Sequence, residues 1–120
     1  MDSILQSIKK LIGVDSKYTE FDTDIIMHIN SVFIILNQLG AGPEKGFFIS
    51  DETSIWSDFI PEKGEMLETV KTYMYLKVKM IFDPPMSTAV LEAMKQMIKE
   101  LEWRINVQAE HNIKYGGHKK

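Results

Sequence analysis

The feature that most constrains the fold is a long apolar stripe near the C-terminus, which follows a break at Asp83-Pro84-Pro85. Its residues recur at a spacing of three and four, which places them along one side of an α-helix. They are Val90, Leu91, Met94, Met97, Ile98, Leu101 and Ile105. We predict a helix over roughly Asp83–Asn112, with Asp83 as its cap and Pro84 as its first residue. At a rise of about 1.5 Å per residue the stripe is roughly 30 Å long, so other elements must cover it.

Two helices are predicted in the first third of the chain. The first is short, and Ser3 with Gln6 forms a candidate capping box at its start. The second runs from about Asp22 or Thr23, either of which can cap it, to Leu39, and Gly40 is predicted to end it. Both helices carry apolar residues at helical spacing, so both can pack against the C-terminal stripe.

A third helix is predicted at roughly Glu65–Phe82, and it is apolar on two faces. Such a helix belongs in the middle of a bundle or at a subunit interface. The predicted fold class is all-α: a small bundle of about four helices, one short at the N-terminus and three longer. An aromatic-rich loop joins the second and third helices, and an extended tail follows the last. We predict that residues 1–112 form the helical domain and that residues 113–120 form a tail that docks on a partner.

The aromatic-rich loop occupies residues 41–61, where glycines and prolines interrupt the helical period. Its large apolar residues are Phe47, Phe48, Ile49, Ile55, Trp56, Phe59 and Ile60. A helical turn is predicted around Thr53–Phe59. The loop either closes one end of the bundle as a flap or presents its aromatic side chains to another subunit, and both readings stay open. Phe47, Phe48 and Trp56 are therefore candidate inter-subunit contacts.

Trp103 is the second candidate anchor, because it lies off the main stripe of the last helix. It shares its side with Ala89, Ala93 and Val107. An indole beside small residues predicts that something packs there. The aromatic loop is the favoured cover. A neighbouring protomer is the alternative, since tryptophan is enriched at interface anchors, and Trp103 is a fourth candidate inter-subunit contact.

The composition excludes several kinds of function. A net charge of −3 provides no basic field that would attract nucleic acid or an anionic membrane. The absence of cysteine excludes a disulfide framework and a thiolate metal site. The sequence Met1-Asp2-Ser3 lacks the basic start of a signal peptide, and no apolar run approaches the ~20 residues that span a bilayer. We expect a protein that is made in the cytoplasm and has no membrane partner.

No motif predicts catalysis. The glycines between Gly40 and Gly46 do not form a phosphate-binding loop, and no helix carries a histidine pair or a Glu-x-x-His pair for a metal. Glu100 and Glu102 point to different faces of their helix, so they do not form an acid–base pair. We expect no enzyme activity, no catalytic residues, no metal ligands and no cofactor.

Two segments of the predicted helices carry a resemblance to a known family. One is VKTYMYLKVKMIFDPP at residues 70–85, and the other is ELEWRIN at residues 100–106. Shorter matching pieces are LIGV at residues 11–14 and WSDF at residues 56–59. In these segments the chain resembles the head–tail connector (adaptor) proteins of long-tailed bacteriophages, over about residues 4–110. The Phe-Asp-Pro-Pro junction and the Glu-Trp-Arg run are the most specific parts of the resemblance.

The resemblance implies a structural virion protein that assembles with itself as a ring, commonly twelve-fold, in the neck beneath the portal. The ring would join the portal protein to the next tail-side neck or stopper protein. It would surround a channel through which DNA passes without specific binding. Family members carry no catalytic residues, so none are transferred.

The resemblance also implies a role for the C-terminal segment, which tends to engage the portal in this family. The candidate partner-binding residues are Ile113, Lys114, Tyr115, Lys119 and Lys120. We expect the two terminal lysines to pair with an acidic portal surface.

Two other functions stay open. One is a helical protein–protein adaptor or regulatory module of a bacterial host, which would remain a monomer or dimer when mixed with portal protein. The other is a nucleic-acid binder, which predicts an affinity that falls steeply with salt. The negative net charge disfavours the second.

Overall fold

A computed structural model of the chain describes residues 2–111, which fold as a bundle of α-helices. The helices are α1 (Ile4–Leu11), α2 (Asp22–Leu39), α3 (Trp56–Phe59), α4 (Glu65–Phe82) and α5 (Thr88–His111). The predicted all-α class is confirmed, with one short N-terminal helix and three long ones. The additional helix, α3, is a single turn within the aromatic-rich loop. Residues 2–111 contain no strand, only an isolated antiparallel bridge between Ser3 and Ile55.

The central element is α4, which packs against α1, α2 and α5. Both of its apolar faces contribute buried residues: Leu67, Val70, Tyr73, Met74, Leu76 and Val78. The three long helices run up, down and up. Phe21, just before α2, meets Phe82 at the end of α4 with ring centroids 5.3 Å apart. Asn106 near the end of α5 donates to the carbonyl of Leu39 at the end of α2, at 3.2 Å. The predicted helix with two apolar faces is therefore the middle of the bundle.

The last helix begins later than predicted, at Thr88. Asp83 does not cap it. Its backbone N–H instead donates to Lys79 at 2.9 Å and ends α4. Pro84 cannot start a helix here because the following proline disfavours α geometry at the residue before it. The helix begins after Ser87, whose hydroxyl accepts from the N–H of Val90 at 3.3 Å.

The start of α2 also differs from the prediction, because neither Asp22 nor Thr23 is its cap. Phe21 occupies the cap position, and Asp22 is the first helical residue. The carboxylate of Asp22 lies 2.8 Å from the buried ammonium of Lys9 in α1. The Asp22 side chain, which was predicted to cap α2, is therefore engaged with Lys9.

The capping box predicted for α1 is half present. The Ser3 hydroxyl accepts from the N–H of Gln6 at 3.2 Å, as predicted. The Gln6 side-chain amide, however, donates to Glu52 in the aromatic-rich loop at 2.6 Å. The side chain that would complete the box therefore links α1 to the loop.

Gly40 sets the closest approach between α2 and α5. It ends α2 in the left-handed conformation, with φ of 98°. A Cβ at Gly40 would lie 2.8 Å from the Cβ of Ala109, which is closer than two carbon atoms can approach. The predicted stop at Gly40 is confirmed, and it is also a packing position. The predicted tail at residues 113–120, with Asn112 before it, lies outside the described residues.

Candidate functional site

The aromatic-rich loop packs on α2. Phe33 of α2 lies 5.0 Å from Phe47 and 4.7 Å from Phe59 between ring centroids, and the two loop rings are 5.3 Å apart. Trp56 is 1% exposed, and its indole N–H donates to the hydroxyl of Ser7 at 2.9 Å. Three of the loop's aromatic side chains therefore belong to the core of the protomer.

Backbone and side-chain hydrogen bonds fix the loop in place. Asn30 of α2 donates from its amide to the carbonyl of Ile49 at 2.9 Å and accepts from the N–H of Ile49 at 2.8 Å. At the other end of the loop, the N–H of Ile4 donates to Ser54 at 3.0 Å, beside the Ser3–Ile55 bridge. The loop closes the bundle as a flap.

The four candidate inter-subunit contacts lie in different environments. Trp56 is buried, and Phe47 is half-buried in the Phe33 cluster. Phe48 is 60% exposed and Trp103 is 67% exposed. Phe47 and Trp56 each pack on Phe33 inside the protomer, whereas Phe48 and Trp103 keep most of their surface exposed. The role of these four residues as inter-subunit contacts remains a prediction. Only Phe48 and Trp103 expose a large apolar surface to which another subunit could bind.

The surface around Trp103 is not covered by the aromatic-rich loop, so the favoured reading of that position is wrong. The loop is occupied by its packing on Phe33. A groove of about 200 Å³ instead lies beside Trp103, between the first turns of α4 and the last turns of α5. It is lined by Glu65, Met66, Thr69, Trp103, Arg104, Ile105, Val107 and Gln108. Arg104 is paired with Glu100 at 2.8 Å, which neutralises both charges next to the indole.

A further exposed surface, on α2, escaped the sequence reasoning. Met27 is 58% exposed and Ile34 is 49% exposed. These two, with the exposed residues Thr23, Asp24, Ser31 and Gln38, form what we name the α2 outer face. The sequence signal for this surface is the absence of Lys, Arg, Asp and Glu from residues 25–39.

The central helix α4 is joined to α5 by a hydrogen bond to a carboxylate. The buried hydroxyl of Tyr73 in α4 donates to the carboxylate of Glu102 in α5 at 2.7 Å. Burial and the adjacent carboxylate raise the pKa of Tyr73 far above its ordinary value. At the surface, hydrogen bonds from the side chain and backbone of Thr53 lower the pKa of Asp51. Each shift is explained by local packing or by a turn.

Residues 2–111 contain neither a metal-binding cluster nor a membrane-spanning helix. No group of three or more histidine or carboxylate side chains is placed to hold a metal ion there. Within the same range, no helix combines the length and apolar character that crossing a membrane requires. The surfaces that remain are apolar or mixed, which suits contacts with proteins.

Comparison with known proteins decides the family. The sequence model described as "Phage connector protein" matches residues 4–112, which include all five helices. The chain belongs to the phage connector family. The resemblance seen in residues 70–85 and 100–106 is thereby confirmed. No curated protein and no solved structure matches the chain.

Membership of the phage connector family fixes the broad function. The chain is a structural head–tail connector protein of a bacteriophage and a component of the virion. Connector proteins associate with other proteins of the phage head or tail, and the family is structural and not known as enzymatic.

Proposed function

We propose that this connector assembles with itself as a ring in the phage neck, commonly twelve-fold in the family it resembles. The ring joins the portal protein to the next tail-side neck or stopper protein around the DNA channel. The observation that carries this proposal is the family match, which spans the whole described bundle. A closed ring of identical subunits needs two different surfaces that meet head to tail. The Trp103 surface and the α2 outer face lie on different helices and offer such a pair.

The portal contact is assigned to the C-terminal tail, with Ile113, Lys114, Tyr115, Lys119 and Lys120 as its binding residues. This tail is locally basic on a chain of net charge −3, which would complement an acidic partner surface. An Ile-Lys-Tyr segment can add as a strand to the edge of a partner's sheet. The last described residue, His111, ends α5, whose last turns line the Trp103 groove.

The bundle is suited to surround DNA without holding it. A tight DNA-binding surface neutralises several phosphates with lysines and arginines. α5 carries charged side chains of both signs, and its Arg104 is already paired with Glu100. A mildly acidic subunit would therefore not bind the DNA that passes through the channel tightly.

The test is capture of the protein by portal protein from the same phage. We expect electron microscopy of the mixture to show a ring stacked on the portal. Deletion of residues 113–120 should leave thermal unfolding of the protein unchanged and abolish capture. Substitution of Lys119 and Lys120 by alanine should weaken capture, whereas the control pair Lys95→Ala and Lys99→Ala on the exposed side of α5 should not.

Each outcome of this experiment has a defined meaning. Undiminished capture of the truncated protein would remove the tail from the portal contact. A protein that remains monomeric or dimeric and does not bind portal would contradict the ring and favour the helical host adaptor.

A further inference from the structure

We propose that the C-terminal tail, residues 113–120, docks in the Trp103 groove of its own subunit and is released from it by portal protein. The groove lies between the first turns of α4 and the last turns of α5. Docking is independent of the proposed function, whereas release by portal protein rests on it. The inference names the occupant of the groove and a regulated state of the segment that is assigned to the portal.

The size and lining of the groove suit the side chains of a peptide. Its volume of about 200 Å³ lies below the roughly 300–1,000 Å³ of small-molecule sites. Trp103 and Val107, which line it, are 67% and 42% exposed, and the buried Ile105 lines it as well. An aromatic ring packs favourably against an exposed indole, beyond the area that it buries. An apolar segment with an aromatic residue would therefore match this lining.

The charge near the groove is opposite to that of the tail. Glu65 lines the groove with an exposed side chain, whereas Arg104, which also lines it, is paired with Glu100 at 2.8 Å. Glu110 in the last turn of α5 is also exposed, and the exposed pair Glu62-Lys63 before α4 adds no net charge. The tail contains no Asp or Glu, and its basic residues are Lys114, His118, Lys119 and Lys120. A basic segment is therefore favoured here over an acidic one.

The attachment of the tail identifies it as the occupant. His111, the last described residue, ends α5, and Trp103 lies eight residues before it, or about 12 Å along the helix. The eight residues 113–120 can span up to about 26 Å, which is more than the distance required. A segment tethered so close acts at an effective concentration in the millimolar range, so it binds ahead of a free partner of the same chemistry.

The sequence after α5 indicates which side chains dock. Asparagine is one of the residues that end helices in the left-handed conformation, and Asn112 directly follows His111. At such an end, the next residue packs back on the last turn of the helix, which in the proposed docking brings Ile113 to Val107. Tyr115 lies two residues further and shares a side with Ile113 in an extended segment. We therefore assign Ile113 and Tyr115 as the docking side chains, with Tyr115 beside Trp103.

Docking gives the portal contact an order of events. The tail lysines leave the groove when the acidic surface of portal protein competes for them. A contact that a partner displaces is weak, so it adds little to the free energy of global unfolding. Release of the tail then uncovers Trp103, which belongs to one of the two surfaces assigned to the ring. Subunits therefore close the ring after they meet the portal, and not in solution.

A disulfide trap tests the docking, and the absence of native cysteine removes any background. We would introduce Thr69→Cys in the groove with Gly116→Cys in the tail, and equilibrate the protein with reduced and oxidised glutathione. The disulfide fraction gives the effective concentration of one thiol at the other. Glu68→Cys with Gly116→Cys is the control, because Glu68 adjoins Thr69 and is exposed but does not line the groove. Docking should raise the effective concentration of the Thr69 pair over that of the control by about tenfold or more.

The trapped protein also tests release by the portal. The oxidised Thr69→Cys, Gly116→Cys protein should not be captured by portal protein, and reduction with dithiothreitol should restore capture. The reduced form is thus its own control for the two substitutions. Its circular dichroism melting curve checks that the fold is intact.

Quenching of tryptophan fluorescence by acrylamide provides a readout without cysteines. Trp56 is 1% exposed, so the quencher reports on Trp103. Ile113→Ser with Tyr115→Ser should raise the quenching constant by about twofold, because the indole loses its aromatic cover. His118→Ser, in the same tail, is the control and should leave the constant unchanged.

The outcomes separate the docking from the proposed function. Equal effective concentrations for the two cysteine pairs would overturn the docking, as would an unchanged quenching constant in the Ile113→Ser, Tyr115→Ser variant. Disulfide-linked dimers of the Thr69→Cys, Gly116→Cys protein would show that the tail of another copy binds the groove, which also overturns it. Capture of the oxidised protein as readily as the reduced one would overturn release by the portal. If the trap forms but portal protein does not capture the unmodified chain, the docking stands and the proposed function fails.

Discussion

Lys9 shows how a single buried charge can connect two helices. Its side chain is fully buried, and its ammonium donates to the carbonyls of Ser16 at 3.2 Å and Tyr18 at 2.8 Å. It also lies 2.8 Å from the carboxylate of Asp22. These partners follow Lys9 by seven to thirteen residues, so Lys9 holds the whole link between α1 and α2. Sequence reasoning could not find it, because a lysine is almost always exposed and its partners form no local pattern.

Lys9→Met should destabilise the protein strongly. It removes the ammonium, which leaves two carbonyls without their donor and a partly buried carboxylate without its counter-ion. We expect the free energy of unfolding to fall by about 2–4 kcal/mol. Urea denaturation measures it, with the exposed neighbour Lys10→Met as the control, which should change stability by less than about 0.5 kcal/mol. Equal losses in the two variants would show that the buried ammonium contributes nothing specific.

Tyr73 makes stability depend on pH in the alkaline range. Its pKa is raised from the ordinary 10.0, so the folded protein holds the phenolic proton more tightly than the unfolded chain. The contribution is complete below pH 10 and declines as the pH rises above it, by up to about 1.4 kcal/mol per pH unit.

Tyr73→Phe tests this linkage. At pH 8 the variant should lose about 1–2 kcal/mol of stability, because the hydrogen bond to Glu102 is gone and the carboxylate loses a donor. Above pH 10 the difference between the variant and the unmodified protein should shrink, which urea denaturation between pH 8 and about 11 measures. The comparison cancels the lysines and other tyrosines that titrate in both proteins. A difference in unfolding free energy that does not change with pH would show that the Tyr73 hydroxyl does not cause the loss of stability at alkaline pH.

At the scale of elements, a polar side chain of α2 helps to hold the aromatic-rich loop in place. Asn30 meets both the N–H and the carbonyl of Ile49, as a neighbouring strand would do. The ring cluster of Phe33, Phe47 and Phe59 forms beside this contact. Order in the loop therefore follows from packing and from Asn30 together.

Asn30→Ala should loosen the loop selectively. Both backbone groups of Ile49 lose their partner, and we expect a loss of about 1–3 kcal/mol in unfolding free energy. Hydrogen exchange measured by mass spectrometry should speed up most in the peptide that contains Ile49 and least in those of α4. Gln38→Ala, on the exposed side of the same helix, is the control. Uniform acceleration across the chain would show that Asn30 stabilises the bundle as a whole and not the loop.

Helix positions could be predicted from the sequence, but their ends only in part. The spacing of apolar residues gave the four larger helices, and Gly40 gave the end of α2 because a left-handed stop favours glycine. The predicted start of α5 at Asp83 was wrong. Pro85 disfavours α geometry at Pro84, and the prediction treated Pro84 as if an ordinary residue followed it. Phe47 and Phe48 adjoin in sequence yet differ in burial, and no periodicity in a loop can tell them apart.

At the scale of the whole molecule, an amphipathic pattern shows that a helix has an apolar face. It does not show whether that face packs within the same chain or against another chain. Trp103 was expected to be covered by the aromatic-rich loop, and it is exposed, as is Ile34 of α2. A periodic stripe shows only that an apolar side exists. The absence of Lys, Arg, Asp and Glu from residues 25–39 is the additional information, because a solvated helix face normally carries charged residues.

The proposed contacts should respond to salt in opposite directions. The portal contact uses lysines against an acidic surface, so screening weakens it as the Debye length falls from about 10 Å at 0.1 M to about 3 Å at 1 M. The contact between subunits of the ring joins molecules that each carry a net charge of −3. Added salt screens that repulsion, so the yield of rings should hold or increase.

One titration with sodium chloride measures both contacts: the capture of the protein by portal protein, and the share of the protein in rings, counted by electron microscopy. Substitution of Lys119 and Lys120 by alanine should flatten the salt response of capture and leave that of ring formation unchanged. Rings that disappear with salt would mean that ion pairs between subunits hold the ring together. The Glu100–Arg104 pair would then be the first candidate to exchange partners across the interface, because it borders Trp103 and both of its side chains are exposed.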